Sequence, residues 1–526
     1  MFLESTISDI ENYPFLNPFR FENDPSKKYW HISILESLLE ENWNSIEEGV
    51  TENREYLAAR EKIFSSSVFQ YFTDQKNRII QESLETDNSF QILGAYTCLL
   101  DSIVQTAFDY SFIDIPLIKE RLVEELNHEL NYKQKNLPEK KEKLKLLKEQ
   151  ILEMEKNLES GSSSSREYRY FQEVESQHES ETRVLEERIE ELQQLIPQIQ
   201  EFTNDKNFVL NHLVIFARGG YGRAELGLSS DRDLGYCLDT NRLNNGEAEM
   251  LRQLIVHIEN LLRNSGVETA HQYFEIDEDL SRFDEVNTLH TIPSILESRV
   301  LLGSESLATN LKNRFFQVIT FEPYVLNLVR SFSESKEPEL NRMDLKMDYG
   351  GLRSLQIPLW ITAATFGIFP SQTADLLAFL IQKHLLSHRQ ALKLCQALEF
   401  LHDLRNFSAV AKEHYFDDEA RDIGCIQENL LQDQLNDSLE RLSLLKKNRF
   451  KNVDEFDRFR LQMMEQIGEL SKVILDRLLD RTIVRTFSKF QVVVHLGNRR
   501  VVEIHALEGL PQVPLTLIFD EPQTLL

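Results

Sequence analysis

The sequence predicts an α+β protein that is mostly α-helical, and three observations carry this prediction. Through most of the chain, apolar residues recur at spacings of three and four, which is the period of an amphipathic helix. Two short apolar runs, at 213–217 and 234–238, have the length of buried strands. Apolar and polar residues alternate again after position 487, which indicates a small β unit at the end of the sequence.

The length of 526 residues allows several domains, and shifts in composition divide the chain into five predicted regions. Helical periodicity dominates from 291 to about 485, after a predicted strand at 267–274. The regions are an N-terminal helical region (1–116), a helical hairpin (117–203), an α/β core (204–330), a helical domain (331–486) and a small β unit (487–526).

The charge balance argues against nucleic acid as a partner. The chain has 58 Lys and Arg against 86 Asp and Glu, a formal net charge of −28, and such a surface repels a phosphate backbone. The cysteines stand far apart without a CxxC pair, which argues against a disulfide framework or a structural zinc site and favours buried thiols. They are Cys98, Cys237, Cys395 and Cys425.

No segment predicts a membrane span or an export signal. The longest apolar stretch, 357–369, has 13 residues and includes a proline, two threonines and a glycine, so it is too short to cross a bilayer. The first residues of the sequence are acidic where a secretory signal is basic. We therefore expect a cytoplasmic protein with no membrane partner.

The region 117–203 predicts an antiparallel coiled-coil hairpin. Glu, Lys, Gln and Leu dominate it, and the run GSSSS at 161–165 separates two stretches of heptad-like apolar spacing. Such a hairpin is either a solvated spacer or a docking arm for homo- or hetero-association, and the sequence leaves both open. The seam residues are Leu144, Leu147, Ile151, Met154 and Leu158 on the first arm, and Leu185, Ile189, Leu192, Ile196 and Ile199 on the second.

A Gly-Gly pair and an Asp-x-Asp pair follow the first predicted strand. Gly219 and Gly220 would let the backbone approach a triphosphate closely, and a helix beginning there would direct N–H groups at the phosphates. Asp231 and Asp233 are separated by one residue, so on a strand they point to the same side and can bind the same pair of Mg²⁺ or Mn²⁺ ions. Together the two pairs indicate a metal-dependent phosphate chemistry.

A two-metal site of this kind needs a third carboxylate from a neighbouring strand. Glu268 is the candidate, because it lies on the predicted strand 267–274. The offset of three to His271 places these two side chains on opposite faces of a regular strand, so only one of them can point inward.

The motifs GGYGRAEL and SDRDL resemble the GGYGRGEL and SDIDL motifs of the bacterial PII-protein uridylyltransferases and related nucleotidyltransferases. The resemblance continues in order through ETAH, ESRVLLG, DLKMDYGGLRSLQ and ALEFLHDLRN, and covers roughly 207–418. It implies a nucleotidyltransferase core of the DNA polymerase β type. From the residues alone, Lys346 and Arg353 are two cations in a helical region, more often surface charge than ligands.

The resemblance implies transfer of UMP or AMP from an NTP to a protein hydroxyl, with release of pyrophosphate. It places two Mg²⁺ or Mn²⁺ ions on Asp231, Asp233 and Glu268, which would be the catalytic residues. It implies a PII-like or other signalling protein as the acceptor. The residues that it places around the nucleotide are Gly219, Gly220, Arg223, Ser230, Lys346 and Arg353, with Gly350 and Gly351 in the segment that closes over it.

The chain departs from the family pattern at three positions. Ala224 replaces a glycine, which is tolerable if φ there is negative, and Arg232 replaces an apolar residue but can face away from the metals. Ser354 replaces an acidic residue. None of these changes removes a proposed metal ligand, but they put the nucleotide and the acceptor in doubt.

Neither an HD-type hydrolase domain nor paired ACT domains are evident. The His402–Asp403 dipeptide has no accompanying set of ligands, so a surface or core histidine is the better interpretation. These differences keep open an alternative of another class. In it, a catalytically weak or inactive core senses a nucleotide, and the hairpin docks a partner.

Overall fold

The computed structural model describes most of the chain, and the described residues are mostly α-helical with a small mixed sheet. This confirms the predicted α+β class. The residues it does not describe are 1–24, 45–52, 86–88, 160–164, 229, 277–284, 319–320, 339–343, 370–371, 416–452, 480–481, 487–489, 496–499, 507–514 and 520–526.

Three helices form the N-terminal region, as the sequence periodicity predicts. α3 is apolar around most of its circumference and is the most buried of the three, because it packs against both of its neighbours. Tyr96 on α3 stacks on Phe72 of α2 with 6.3 Å between ring centroids. The helices are α1 (Pro25–Asn44), α2 (Asn53–Glu85) and α3 (Ser89–Ile113).

Two long helices, α4 (Ile115–Glu159) and α5 (Ser165–Glu201), lie side by side. Ile151 of the first predicted seam and Ile189 of the second are buried between them. Residues 160–164 of the predicted turn lie outside the described residues. The helices are antiparallel, because successive ion pairs join later residues of α4 to earlier residues of α5. These pairs are Glu129–Arg188 (3.1 Å), Lys140–Glu181 (2.7 Å) and Lys148–Glu179 (3.0 Å).

The central sheet has four strands in the order β3-β2-β1-β4. β1 is antiparallel to both β2 and β4, whereas β2 and β3 are parallel because α8 crosses between them. β2 begins two residues before the predicted run, at Arg232. The strands are β1 (Leu213–Ala217), β2 (Arg232–Leu238), β3 (Thr269–Glu275) and β4 (Arg299–Gly303).

Helices cover both faces of this sheet, which explains why β1 is buried at every position. Ile215 faces the N-terminal helices, the base of the hairpin and α8. Phe216 faces the helices that follow the sheet. A capping box between Asn244 and Glu247 begins α8. The helices are α6 (Lys206–His212), α7 (Gly219–Gly222), α8 (Asn245–Asn264), α9 (Glu285–Leu296), α10 (Glu305–Val318) and α11 (Phe321–Ser333).

The remaining helices form the second half of the apolar core. Gly350 has a φ of +78°, and a Cβ there would lie 1.9 Å from the carbonyl oxygen of Met464, so only glycine lets the two segments approach. Gly367, also at positive φ, ends α12. The helices are α12 (Leu352–Phe366), α13 (Thr373–Gln382), α14 (His388–Tyr415) and α15 (Val453–Leu479).

The predicted C-terminal β unit is a four-stranded antiparallel meander. Its second and third strands form the predicted hairpin, and its fourth strand is the one predicted at 515–519. The unit starts before position 487, because a further strand precedes the hairpin. The strands are β5 (Thr482–Thr486), β6 (Phe490–His495), β7 (Arg500–Ala506) and β8 (Leu515–Phe519).

Within the described residues, none of the helices is both long and apolar enough to cross a membrane. The stretch 357–369 instead belongs largely to the buried helix α12. Cys98, Cys237 and Cys395 are free and buried, as expected, and Cys425 lies outside the described residues.

A buried charged network joins the N-terminal helices to the core. His257 on α8 lies 3.3 Å from Asp114, through Nε2, and 3.3 Å from Glu61, through Nδ1. Arg60 forms an ion pair with the same Asp114. Burial alone lowers the pKa of His257, but the hydrogen bonds to Asp114 and Glu61 outweigh it, so its pKa lies above its ordinary value.

This network predicts a pH dependence of stability. Because the folded pKa of His257 is raised, its contribution is fully present below the unfolded pKa and is lost as pH rises through the folded value. The free energy of unfolding should therefore fall over that window, by about 1.4 kcal/mol for each pH unit that separates the two pKa values. Urea unfolding at a series of pH values checks this, and His257→Gln should remove the dependence. An unchanged profile in the variant would contradict it.

Candidate functional site

The turn after β1 depends on glycine. Gly219 has a φ of +54°, and a Cβ there would lie 3.3 Å from Oδ2 of Asp233. A Cβ on Gly222 would lie 2.7 Å from the carbonyl oxygen of Glu297, just before β4. The expected helix after the glycine pair is the single turn α7. The backbone at Gly219 thus lies directly against Asp233, with no side chain between them.

The two aspartates lie together at the start of β2. Asp231 is exposed and precedes the strand, and the Asp233 side chain is about one third exposed. Burial raises the pKa of Asp233, and repulsion from Asp231 adds to it, while Arg218 and Lys346 oppose the rise. Lys346, from the segment before α12, thus lies close enough to Asp233 to influence its pKa.

Arg218 is a site residue that the sequence reasoning missed. Its guanidinium is buried, donates through Nε to the Leu234 carbonyl at 3.0 Å and through Nη1 to Gln272 at 2.6 Å. Nη2 lies 3.9 Å from Oδ1 of Asp233. The sequence signal that could have identified it is its position between β1 and the glycine pair. A cation is thus fixed beside the proposed metal ligand.

The third proposed carboxylate, Glu268, is exposed and lies just before β3. Asp233 pairs in register with Ala270, so a regular alternation puts Glu268 on the Asp233 side of the sheet. His271 points to the other side, where Nδ1 lies 3.2 Å from Glu259. Among the described residues, no three His, Cys, Asp or Glu side chains come close enough to bind a metal ion. The structure brings two of the three proposed ligands together.

Arg223 lies in a buried ion-pair cluster. Nε is 2.8 Å from Glu225 and Nη1 is 2.6 Å from Glu297, which also accepts a hydrogen bond from Trp360 at 2.6 Å. The guanidinium is thus engaged by two carboxylates, and its contact with the nucleotide stays a prediction. The pairing joins residues distant in sequence, which is why the motif alone did not indicate it.

Ala224 corrects an expectation. Its φ is +58°, whereas a negative φ was expected for a residue other than glycine. A left-handed conformation costs an L-residue about 1–2 kcal/mol. The turn that follows the glycine pair therefore retains the glycine geometry with alanine in place.

The other two departures are accommodated. The Arg232 side chain donates to the Tyr96 hydroxyl at 3.0 Å and lies over the Phe72 ring, so it faces away from Asp233 as expected. The Ser354 hydroxyl accepts a hydrogen bond from the Gly350 amide at 2.9 Å and so holds the turn before α12.

Arg353 lies in the first turn of α12, and Ser230 directly precedes Asp231. Arg353 stacks on Trp360 at 4.8 Å, and burial, followed by the nearby Arg223, lowers its pKa to about 10. Its Nε and the Ser230 hydroxyl are buried and have no hydrogen-bond partner among the described residues. Such groups are suited to a ligand that supplies the missing acceptor.

α14 packs against the loop that leads to the aspartates. Asn406 accepts a hydrogen bond from the Leu228 amide at 3.3 Å, and a Cβ on Gly227 would touch Arg405. His402 is fully buried beside Phe90, and burial lowers its pKa to about 4, so it is a neutral core histidine. The segment ALEFLHDLRN thus supports the site loop.

The family model described as GlnD PII-uridylyltransferase matches residues 330–475. Over this region the chain is PII-uridylyltransferase-like. The matched residues include Lys346, Arg353 and Asn406, whereas the aspartate pair lies before the matched region.

Three relatives are each named bifunctional uridylyltransferase/uridylyl-removing enzyme. The protein from Zymomonas mobilis is 29% identical over 165 residues, which is 30% of this chain and 17% of the relative. The protein from Rhodospirillum rubrum is 24% identical over 282 residues, which is 51% and 27%. The protein from Ectopseudomonas mendocina is 30% identical over 206 residues, which is 37% and 21%. The similarity thus spans less than a third of each relative.

The strained alanine predicts a substitution that stabilises the protein. Ala224→Gly relieves about 1–2 kcal/mol of strain but gives back roughly 0.4–1 kcal/mol of unfolded-state entropy, so a net gain of up to about 1.6 kcal/mol is expected. Urea unfolding measures it. As a control, Ala58→Gly within the exposed face of α2 should cost about 1 kcal/mol. A loss in both variants would contradict the interpretation.

Proposed function

We propose that this protein is a nucleotidyltransferase that transfers UMP or AMP from an NTP to a hydroxyl of a protein acceptor, with release of pyrophosphate. The observation that carries the proposal is the position of Asp233, with Asp231 beside it, directly against the glycine turn of Gly219. The charge of Lys346 acts on the same carboxylate. The similarity of the chain to PII uridylyltransferases supports it. A PII-like signalling protein is the proposed acceptor.

The aspartate pair fits Mg²⁺. Magnesium is commonly bound by one or two carboxylates together with substrate phosphates and water, so the two adjacent carboxylates of Asp231 and Asp233 are a suitable donor set. Their mutual repulsion, which contributes to the raised pKa of Asp233, is relieved by a bound cation. When bound there, the ions would stabilise the charge of the phosphates and of the departing pyrophosphate.

The chain's own residues then position the nucleotide. Gly219 and Gly220 leave room for the phosphates against the backbone, and Lys346 supplies positive charge on the same side. The unpartnered hydroxyl of Ser230 can donate to a phosphate oxygen, and Arg353 can donate through its unpartnered Nε. Arg223 holds the turn through Glu225 and Glu297, and so acts as a positioning residue.

Glu268 is proposed as the third carboxylate, recruited when nucleotide and metal bind. It lies outside the ladder of β3, where its carbonyl accepts a hydrogen bond from Arg232 at 3.2 Å and its side chain is exposed. An exposed side chain can change rotamer at low cost. The same proposal includes a polymerase β-like core around β1–β4 and a coiled-coil geometry for the α4–α5 pair.

Isosteric substitution of the aspartates tests the proposal. Asp231→Asn with Asp233→Asn should lower transfer of label from an α-labelled NTP to an acceptor by at least about 100-fold, because the charge that binds the metal is removed. Asp239→Asn, at the far end of β2 and paired with Arg242, is the matched control and should retain full transfer. If the unmodified chain labels neither itself nor any acceptor with any NTP, the proposal is wrong.

Glu268→Gln tests the third ligand separately. With the carboxylate recruited during catalysis, the variant should keep its NTP affinity but lose at least about 100-fold in kcat. Glu249→Gln on α8, remote from the aspartates and bonded to Arg252, serves as the control. Unchanged kcat in Glu268→Gln would show that two carboxylates suffice.

A second function is favoured by Arg218. A buried guanidinium 3.9 Å from Asp233 partly neutralises the carboxylate, which weakens its affinity for a metal ion. With this weakened metal affinity, the core would bind NTP without turnover and the hairpin would dock a partner. Equilibrium binding of NTP by the unmodified chain with no labelled product would support this alternative.

A further inference from the structure

The α4–α5 hairpin has two unlike sides. One side is a groove of about 780 Å³ with mostly charged walls, and its exposed apolar residue is Leu152. The other side carries a set of exposed large apolar side chains. They are Tyr132 (64% exposed), Leu146 (50%), Tyr170 (62%) and Val184 (58%).

Helical geometry places these four residues on one side. At 100° per residue, a step of 14 positions returns to within about 40° of the same direction. Tyr132 and Leu146 are separated by such a step on α4, and Tyr170 and Val184 by such a step on α5. Each pair therefore forms a stripe along its helix, beside the buried seam.

The ion pairs between the arms show at which level each residue lies. Val184 stands between Glu181, which binds Lys140, and Glu186, which binds Lys141, so it lies level with these lysines. Tyr170 is two positions from Tyr168, whose hydroxyl donates to Glu155, so it lies near Glu153. Along the hairpin, each apolar residue of α5 therefore lies about seven residues from the nearest apolar residue of α4. This offset is close to one heptad, or roughly 10 Å.

An offset of one heptad makes this side complementary to itself. When a second copy is rotated about a two-fold axis along the hairpin, its α5 lies over α4 of the first copy. The order along that line is then Tyr132, the partner's Val184, Leu146 and the partner's Tyr170. Each apolar side chain fills a gap left by the other copy, as knobs do in a heptad repeat.

Charge favours the same pairing. From 133 to 148, α4 has seven lysines and two glutamates, whereas from 173 to 191, α5 has eight glutamates and two arginines. A two-fold pairing that places α4 over α5 brings opposite charges together, with Lys143 near the level of the partner's Glu181. Placing α4 over α4 would oppose lysine-rich helices.

We propose that the protein forms a two-fold homodimer through the side of the hairpin that carries Tyr132, Leu146, Tyr170 and Val184. The partner is a second copy of the same chain, with its hairpin parallel to the first. This association does not depend on the nucleotidyltransferase activity and can be tested without nucleotide.

Sedimentation velocity of the whole chain over a range of concentrations tests the proposal. The unmodified protein should sediment as a dimer, and Leu146→Glu with Val184→Glu should weaken association by at least about tenfold, because four like charges enter the interface. Leu152→Glu, on the groove side, is the matched control and should leave the dimer intact. A monomer at every concentration, or equal loss in Leu152→Glu, overturns the proposal.

Circular dichroism shows whether the double variant folds. If it does not fold, a cross-linking measurement tests the same face. Leu146→Cys protein is mixed with Val184→Cys protein and treated with a short bis-maleimide. Cross-linked dimers joining one chain of each kind are expected, beyond those formed by the unmodified chain. Absence of mixed dimers, or equal cross-linking when Leu152→Cys replaces Leu146→Cys, overturns the proposed face.

Discussion

The buried ion pairs of Arg223 fix the geometry on which the site depends. Arg223 follows the glycine turn, Glu225 follows it by two residues, and Glu297 stands just before β4 and is bonded to Trp360 of α12. One guanidinium therefore joins the turn, the sheet and the helical domain. Removing one partner of such a buried pair leaves an uncompensated charge and costs about 3–5 kcal/mol.

The constraint explains the unusual backbone nearby. The turn has to pass close to the Glu297 backbone at Gly222 and then reverse at Ala224 in a left-handed conformation. The ion pairs hold Arg223 while the chain reverses next to it, so the strain at Ala224 is compensated within the same cluster. The cluster thus fixes the start of the loop that leads to Asp231 and Asp233.

The aspartate pair lies in an environment that contains both negative and positive charges. Asp233 is partly buried next to another carboxylate, and two cations from different segments of the chain, Arg218 and Lys346, oppose the rise of its pKa. Arg218 belongs to the turn after β1, whereas Lys346 belongs to the helical domain. A nucleotide phosphate that engages Lys346 would therefore couple the helical domain to the aspartate pair.

Much of this organisation is predictable from the sequence because it rests on local patterns. The strands β1 and β2, the long helical arms and the C-terminal hairpin follow from periodicity, and the position of Asp231 and Asp233 follows from their spacing. What the sequence does not show are contacts between distant segments. The ion pair of Arg223 with Glu297 and the approach of Arg218 to Asp233 depend on how the strands are ordered in the sheet.

The left-handed φ of Ala224 was missed for a related reason. The residue type favours negative φ, and only the surrounding contacts impose the other value. For Glu268, the alternation of side chains along the strand predicts only part of the geometry. Alternation correctly separates it from His271, but the strand begins two residues later than expected, so alternation alone does not bring its carboxylate to Asp233.

We propose that Asp231 and Asp233 bind a divalent cation together with a nucleotide. Electron paramagnetic resonance of Mn²⁺, titrated with and without a non-hydrolysable NTP analogue, tests it most directly. Mn²⁺ binding should strengthen when the analogue is present and should be lost in Asp233→Asn. Mn²⁺ binding that Asp233→Asn leaves unchanged would contradict the claim.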